Sequence, residues 1–431
     1  MLDIQYIRQH ADTLQEIANK KHIALSIAEL VQQHQLRSQN LQEIEQLRQQ
    51  RNVLTRQISE QIHTSPATAE ETKQQVRNIN LQLNTLEQQA EQILEKYNAL
   101  MAIVPNIVSP DTPEGQSDAD NVLLRQIGTP PAFDFAARDH IELGELHGMI
   151  DTARGVKVSG SRHYYLKGNG VLLHRAVQQL AFDLLLGKGY TPLEVPMMVR
   201  GAAMYHTAFF PLGIDQTFRI DQEDRWLTGT SEVALVSYYQ NEVIDLAEGP
   251  IRLAAASQSF RSEVGSAGRD VRGLYRVHQF AKVEQVVLCE ADPEVSEHIL
   301  QEITGNAEEL LQLLELPYQV VAVCIGDMSQ KTYKQYDIET WMPGREAYGE
   351  THSSSNLHDF QARRANIRYR TENGELRFCH TLNNTAVASP RILIPLLENH
   401  QQEDGSIYIP AALRPYMNGM ELLAAPSVTF N

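Results

Sequence analysis

Four residues within one short stretch of the chain have side chains that suit the binding of a nucleotide. Residues 260–284 contain Arg261, Glu263, Phe280 and Glu284. A guanidinium can bind a phosphate through two parallel hydrogen bonds, an aromatic face can stack on a purine, and a carboxylate can bind an amine or a hydroxyl. An isolated Arg-x-Glu is usually only an ion pair between neighbouring strands. The ordered series of four groups favours a binding site.

A second set of residues could complete such a site. Glu350 and Ser353 lie in YGETHSSSN, residues 348–356, and their oxygen atoms suit Mg²⁺, which takes one or two protein oxygens besides phosphate and water. The mixture of Ser and His does not predict a hydrolase triad, because the chain has no Gly-x-Ser-x-Gly elbow. Neither a P-loop nor a Gly-x-Gly-x-x-Gly segment is present.

The first stretch predicts a long β-hairpin. Its flanks, IRLAAASQSF and HQFAKVEQVVLC, are rich in strand-forming residues, whereas the middle, VGSAGRDVRG, is rich in turn-forming residues. We therefore expect Arg261 and Glu263 on the first strand, and Phe280 and Glu284 on the second.

The first 104 residues predict an antiparallel pair of long helices. This region has no glycine and one proline, Pro66. We expect Ser65-Pro66 to end the first helix and Glu70-Glu71 to start the second. The coiled coil, about residues 36–100, serves either dimerisation or contact with a distant partner such as RNA, and the pattern alone does not decide. Apolar residues spaced by three and four form its a/d seam: Ile44, Leu47, Leu54 and Ile58, with Arg51 at one position, and then Val76, Ile79, Leu83, Leu86, Ala90, Ile93, Tyr97 and Leu100.

The remaining chain predicts a linker and a second domain. Residues 105–135 are rich in Pro, Gly, Asp and Ser, which is typical of a linker. From residue 136 to residue 431, short strands alternate with helices. This order predicts an α+β domain with a largely antiparallel sheet. It includes a helix near 171–187 and then the strand-like YTPLEVPMMV.

Composition limits the partners and the compartment. The net charge of −17 argues against a non-specific nucleic-acid binder, so any RNA contact must use local basic clusters. Three cysteines are too few for a disulfide framework or a zinc site. The chain has no run of 18 apolar residues and no signal-peptide pattern at its start. We therefore expect a cytoplasmic protein without a membrane partner.

Residues 260–284 resemble motif 2 of the class II aminoacyl-tRNA synthetases, in the form carried by bacterial-type seryl-tRNA synthetases. The segment GYTPLEVP, residues 189–196, resembles motif 1, and TLNNTAVASPR, residues 381–391, resembles motif 3, in which a strand leads into a helix. Thr230-Ser231-Glu232 stands where the family more often has Thr-Ala-Glu, and Asn384-Thr385-Ala386 stands where many members have a Gly-Ser-Gly-type stretch. The resemblance covers essentially the whole chain.

This resemblance implies a role for each matching residue. Arg261, Glu263 and Arg391 would be catalytic, holding the α-phosphate with the substrate carboxylate, the adenine amino group and the γ-phosphate, respectively. Phe280 would stack on adenine. The implied ATP site comprises Arg261, Ser262, Glu263, Arg276, Val277, Phe280, Glu350, Thr351, His352, Ser353 and Arg391, with Glu350 and Ser353 also holding Mg²⁺. The implied L-serine pocket comprises Thr230, Ser231, Glu232, Arg261, Glu284 and Thr385.

The activity implied is the ATP-dependent attachment of serine to tRNA(Ser), with tRNA(Sec) as a second candidate. The protein would be a homodimer through the motif 1 region, with the helical arm binding tRNA and Arg269 and Arg272 of the hairpin tip touching its acceptor end. Two alternatives remain open. One is a paralogue that activates an amino acid for a carrier protein or a biosynthetic pathway, although the arm argues against carrier-protein ligases. The other is an inactive scaffold or RNA-binding protein, which the complete set of charged site residues disfavours.

Overall fold

The computed structural model describes residues 1–61, 63, 65–264 and 273–425. The chain forms two compact units, residues 2–105 and residues 106–431 together with Met1. We describe each unit by itself. None of the helices in the described ranges is long and apolar enough to cross a membrane.

The first unit is helical and is dominated by one antiparallel helix pair. Direct contacts between the two long helices include Asn40 Nδ2 with the carbonyl of Leu86 at 3.3 Å and Lys96 Nζ with Glu29 at 2.7 Å. At about 1.5 Å per residue, the second long helix extends about 57 Å. The helices of this unit are α1 (Ile4–Gln9), α2 (Ala11–Lys20), α3 (Ile27–Gln61) and α4 (Pro66–Ile103).

The predicted seam of this pair is confirmed. Ile44, Ile79 and Leu83 are buried between α3 and α4, and the other seam residues are buried or half-buried. The predicted start of the second helix, Glu70-Glu71, was too late by about one turn. α4 begins at Pro66 itself, because proline has no N–H to leave unpaired in the first turn of a helix and its φ already suits that turn.

The second unit is built on an eight-stranded sheet with the strand order β1-β11-β12-β13-β16-β10-β9-β4. All neighbouring strands are antiparallel except β4 and β9. The predicted α+β fold, with a pair of long N-terminal helices and a largely antiparallel sheet, is therefore confirmed. The strands of this unit are β1 (Val122–Ile127), β2 (Ile150–Asp151), β3 (Tyr165–Leu166), β4 (Thr191–Pro192), β5 (Met198–Val199), β6 (Phe218–Ile220), β7 (Arg225–Leu227), β8 (Val243–Ile244), β9 (Ile251–Phe260), β10 (Gln279–Cys289), β11 (Tyr318–Ala322), β12 (Lys334–Met342), β13 (Ala347–Asn356), β14 (Arg368–Arg370), β15 (Leu376–Phe378), β16 (His380–Ser389), β17 (Ile407–Tyr408) and β18 (Leu422–Leu423).

Helices cover one face of this sheet. Leu173 and Val177 of the seventh helix and Ile299 and Ile303 of the tenth are buried in one apolar cluster with Val283 of β10. On the opposite face, Leu253, Val286 and Leu288 are buried in a second apolar cluster with Leu235 and Ala362, and the uncovered part of this face is left for polar side chains. The helices of this unit are α5 (His140–Leu146), α6 (Thr152–Ser159), α7 (Asn169–Gly187), α8 (Gly201–His206), α9 (Glu232–Ser237), α10 (Pro293–Leu313), α11 (Phe360–Ala365) and α12 (Leu393–Asn399), with 3₁₀ turns at Asp118–Asp120, Ile214–Gln216, Pro343–Arg345 and Ala411–Met417.

Three local predictions differ from the structure. Strand β9 ends at Phe260, so Arg261 and Glu263 follow the strand instead of lying on it. The segment YTPLEVPMMV forms two short strands, β4 and β5, because its prolines cannot donate to a sheet ladder. Part of the predicted linker belongs to the sheet, since β1 pairs with β11 at its edge.

Candidate active site

The hairpin of β9 and β10 brings the first group of polar side chains to the uncovered face of the sheet. Side chains alternate between the two faces of a strand. On β10 this places Phe280, Lys282 and Glu284 on one face, while Val283 and Val287 pack into the helix-covered core. The predicted positions of Phe280 and Glu284 are therefore correct.

The chain leaves the sheet just before the other two predicted residues. The Arg261 amide still donates to the His278 carbonyl at 2.9 Å, but the backbone then turns, and Glu263 has a left-handed φ of 49°. Arg261 and Glu263 thus reach the uncovered face from a turn. The hairpin tip, with Arg269 and Arg272, lies outside the described residues.

A cleft of about 360 Å³ lies on this face and gathers most of the predicted site residues. Ser231 and Ser262 are not among the residues that line it. Ser231 is fully buried at the start of α9, and Ser262 Oγ donates to the Asp215 carbonyl at 2.5 Å. The predicted residues that line the cleft are Thr230, Glu232, Arg261, Glu263, Arg276, Val277, Phe280, Glu284, Glu350, Thr351, His352, Ser353, Thr385 and Arg391.

A β-bulge aligns two of these side chains on β13. Ser353 pairs with Asp337 and Glu350 pairs with Glu339, so Thr351 is an extra residue on this strand. Residues three apart face opposite sides of a regular strand. Because of the bulge, Glu350 and Ser353 face the same side.

A second bulge lies on β16 and places Thr385 opposite Glu284. Val387 pairs with Val283 and Thr385 pairs with Glu284, which leaves Ala386 as the extra residue. Thr385 consequently lines the cleft.

One end of the cleft contains a buried ion pair between Lys282 and Glu284. The Lys282 ammonium contacts Glu284 Oε2 and lies 3.4 Å from Thr385 Oγ1. Both charged residues are at most 5% exposed. Burial raises the pKa of the Glu284 carboxyl, and this effect is opposed by Lys282 and increased by Glu232. Such a pair can present a fixed carboxylate to an amine or a hydroxyl.

A second buried carboxylate lies at the same end. Glu232 Oε1 accepts from Lys331 Nζ at 2.5 Å and from Gln361 Nε2 at 2.7 Å. Gln361 is held in turn by Thr381 Oγ1, which donates to it at 2.8 Å. The Lys331 ammonium also lies 3.9 Å from the centre of the Phe209 ring. Glu232 is therefore fixed through one oxygen atom, and its side chain lines the cleft.

Sequence reasoning missed both lysines. Lys282 could have been found, because it precedes Glu284 by two residues and must share its face of β10. Lys331 had no local signal, since its partner Glu232 is 99 positions away in the chain.

The other end of the cleft is rich in arginine. Arg391 Nε donates to the Tyr275 carbonyl at 3.1 Å, and its Nη1 donates to the Glu350 carbonyl at 3.1 Å. The Arg261 guanidinium lies 5.2 Å from the centre of the Phe280 ring. Desolvation and then the charge of Arg391 lower the pKa of Arg261. Two guanidinium groups that repel each other are suited to a polyphosphate.

The residues predicted for Mg²⁺ have a donor set that fits this ion. Glu350 and Ser353 offer hard oxygen atoms on one side of β13, and the Glu350 side chain is 46% exposed. Burial and then the Glu350 carboxylate raise the pKa of the neighbouring Asp337 well above its usual range. A divalent cation would relieve this repulsion. Within the described ranges, no group of three or more His, Cys, Asp or Glu could hold a metal by itself.

The antiparallel sheet with this cleft defines a class II aminoacyl-tRNA synthetase, and the sequence agrees. Residues 217–400 match the family described as tRNA synthetase class II core domain (G, H, P, S and T). Residues 1–108 match the family described as seryl-tRNA synthetase N-terminal domain.

Individual relatives narrow the class to one family. A Serine--tRNA ligase of Deinococcus radiodurans is 43% identical over 99% of this chain and 100% of its own length. The crystal structure of a Pyrococcus horikoshii seryl-tRNA synthetase complexed with ATP has a TM-score of 0.89 and 35% identity, covering 99% of this chain and 100% of that one. A cytoplasmic Serine-tRNA ligase of Naegleria fowleri in complex with AMP has a TM-score of 0.84 and 27% identity, covering 99% of both chains. The chain belongs to the seryl-tRNA synthetase family, as its motifs predicted.

Proposed function

We propose that the chain activates L-serine with ATP and transfers the seryl group to tRNA(Ser), with tRNA(Sec) as a second acceptor to be tested. The observation that carries this proposal is the division of one cleft into two ends. Arg261 and Arg391 supply cations at one end, and the lysine-paired carboxylates Glu232 and Glu284 lie at the other. The first end suits a triphosphate, and the second suits a small amino acid with an ammonium and a hydroxyl.

In the first step, a serine carboxylate oxygen attacks the α-phosphorus of ATP and the bond to pyrophosphate breaks. Arg261 holds the α-phosphate and the serine carboxylate, so that the two reacting groups meet with their charges neutralised. Arg391 holds the γ-phosphate and Phe280 stacks on adenine, while Glu263 binds the adenine amino group. Arg276, Val277, Thr351 and His352 complete the proposed ATP site, whereas Ser262 lies outside the lining of the cleft and its hydroxyl donates to the Asp215 carbonyl. Glu350 and Ser353 would hold Mg²⁺, which would supply charge neutralisation to the phosphates.

In the second step, a terminal ribose hydroxyl of tRNA attacks the acyl carbon and the bond to AMP breaks. The enzyme mainly orients the two reactants in this step, because the adenylate is already activated. We propose that the α3–α4 pair binds the body of tRNA and that Arg269 and Arg272 touch its acceptor end.

The proposed serine pocket selects by hydrogen bonding and by size. Glu232 and Thr230 face the substrate ammonium, and Glu284 with Thr385 faces the hydroxyl, whereas Ser231 supports this wall from behind. Alanine would leave Glu284 with Lys282 but without a substrate hydroxyl, and a site built to bind a hydroxyl can discriminate against such an analogue by as much as about 10⁴. Threonine is excluded by size.

The remaining proposals concern assembly and location. We propose a homodimer through residues 189–196, supported by the position of β4 at one edge of the large sheet. The cytoplasm is the proposed compartment, because tRNA charging serves translation there.

One pair of assays tests this function. ATP–pyrophosphate exchange is measured with each of several amino acids, and charging is then measured with total tRNA. Exchange with serine together with serine charging is the expected result. Exchange without charging would instead indicate a biosynthetic paralogue, and the loss of both activities would indicate an inactive scaffold.

A further inference from the structure

The turn that follows β9 carries two proposed ATP ligands but lies outside the sheet. Arg261 is the last residue of this segment with a ladder-type backbone hydrogen bond to the β10 side. Glu263 then adopts a left-handed φ of 49°, which is uncommon for a residue with a side chain. Such a conformation persists only where surrounding groups hold it. The position of Glu263 therefore depends on contacts from elsewhere in the fold.

Arg162 provides one of these contacts. It follows α6 in the chain, and its Nη1 donates to the Glu263 carbonyl at 2.6 Å. The Arg162 carbonyl accepts from the His278 amide at 3.2 Å. His278 Nδ1 lies 2.9 Å from the Arg261 carbonyl. Arg162 thus connects both sides of the hairpin at the point where the chain leaves the sheet.

Gln216 provides a second contact from a different segment. It ends the 3₁₀ turn Ile214–Gln216, and its Nε2 donates to the Val264 carbonyl at 3.0 Å. Its own carbonyl accepts from the Ser262 amide at 3.1 Å. The backbone of residues 262–264 is therefore held by hydrogen bonds from two sides.

We propose that Arg162 and Gln216 are positioning residues for the ATP end of the cleft. Neither residue lines the cleft. Their side chains bind the carbonyls of Glu263 and Val264, so they act on ATP through the placement of Glu263, whereas Arg261 keeps its own hydrogen bonds to the His278 and Gly229 carbonyls. This inference rests on the proposed ATP-dependent activation of serine. An error of about 1 Å in the placement of a ligand-binding group can cost as much as 10²-fold in rate, so contacts of this kind matter even at a distance from the ligand.

The test uses two independent variants and one matched control in the full-length protein. Arg162→Met keeps an unbranched, apolar stem and removes the donor to Glu263. Gln216→Leu keeps a side chain of similar size and removes the donor to the Val264 carbonyl. Arg154→Met is the control, because Arg154 lies on α6, is 73% exposed and binds Asp151. KM for ATP, KM for serine and kcat are measured by pyrophosphate exchange, and the melting temperature is measured beside them.

We expect each of the first two variants to raise KM for ATP by about tenfold, which corresponds to the loss of one hydrogen bond. KM for serine and the melting temperature stay near their original values, and Arg162→Lys recovers part of the loss. The inference is overturned if both variants leave KM for ATP unchanged. It is also overturned if KM for ATP and KM for serine rise in parallel with a lowered melting temperature. A failure of the proposed function is distinguishable, because the unaltered protein would then lack serine-dependent exchange.

Discussion

Glu284 and Thr385 are direct partners across β10 and β16, and the ammonium of Lys282 contacts both of them. The carboxylate, the hydroxyl and the cation therefore form one connected unit at the end of the cleft that we propose binds the amino acid, with Lys282 and Glu284 buried and Thr385 half-buried. A substrate hydroxyl would join this unit as a fourth member.

Glu284→Gln tests this unit with little change of shape. We expect kcat/KM for serine in pyrophosphate exchange to fall by about 10²-fold or more, because the substrate loses a charged acceptor in a desolvated site. KM for ATP should change much less. Glu290→Gln, at an exposed position just after β10, is the control and should behave like the original protein. Unchanged kinetics for Glu284→Gln would remove Glu284 from the serine pocket.

Lys331→Met tests the ion pair of the second buried carboxylate, Glu232, through the stability of the fold. Glu232 would keep Gln361 but lose its buried counter-ion, and we expect the free energy of unfolding to fall by about 3 kcal/mol. Chemical denaturation measures this change. Adding Glu232→Gln to the variant should restore much of the loss. Lys188→Met breaks an exposed ion pair with Glu309 and should cost less than about 1 kcal/mol. Equal effects of the two lysine variants would contradict the importance of burial.

A half-buried histidine, His174, predicts a loss of stability in acid. Burial lowers the pKa of His174 to about 4, and its Nδ1 lies 2.7 Å from Ser389 Oγ. In the unfolded chain this imidazole takes up a proton near its ordinary pKa of about 6.5. Between these pH values the unfolded state binds more protons, so stability decreases as the pH falls from about 6.5 to about 4.

His174→Gln should reduce this decrease by about 2 kcal/mol, because glutamine cannot take up the proton. Denaturation series at several pH values from 7.5 to 4.5 measure the difference. His298→Gln, at an exposed position of α10, serves as the control. The same acid dependence in His174→Gln and in the original protein would show that His174 does not contribute.

The proposed Mg²⁺ ligands predict a change in metal requirement. Glu350→Gln should raise the Mg²⁺ concentration for half-maximal exchange by about tenfold, because an amide oxygen is a weaker ligand than a carboxylate. Glu372→Gln alters an exposed carboxylate elsewhere in the unit and should leave the Mg²⁺ titration unchanged. Superimposable titrations of all three proteins would exclude Glu350 as a ligand.

Because the helices form a separate compact unit, we predict that serine activation and tRNA charging can be separated. Replacing residues 36–98 with a short linker is feasible, because the rings of His34 and Tyr97 lie 6.0 Å apart across α3 and α4. We expect this variant to keep serine-dependent exchange and to lose tRNA charging. Full-length protein assayed at the same concentration is the reference. Normal charging by the shortened protein would refute the role of the arm in tRNA binding.

Local patterns predicted much of this molecule. The heptad seam of α3 and α4 was readable because each of its residues has a fixed spacing from the next. Phe280 and Glu284 were placed correctly because alternation on a strand needs no information from elsewhere. The end of β9 was placed too late, since the turn at Glu263 is held by Arg162 and Gln216, which are distant in the sequence. The pairing of Lys331 with Glu232 was missed for the same reason.

The two bulges also bear on how the gene can change. A deletion of Thr351 or Ala386 would make β13 or β16 a regular strand, and a regular strand is by itself no less stable. The residues on either side of the deleted position would keep their partners and their faces, because the bulge residue is the one without a partner on the neighbouring strand. The loss of either codon would therefore change the local twist and bend of the strand, but would leave Glu350 and Ser353 on one face and Thr385 opposite Glu284. The two bulges are thus positions at which a strand could lose one residue without moving the rest of the site to the wrong face.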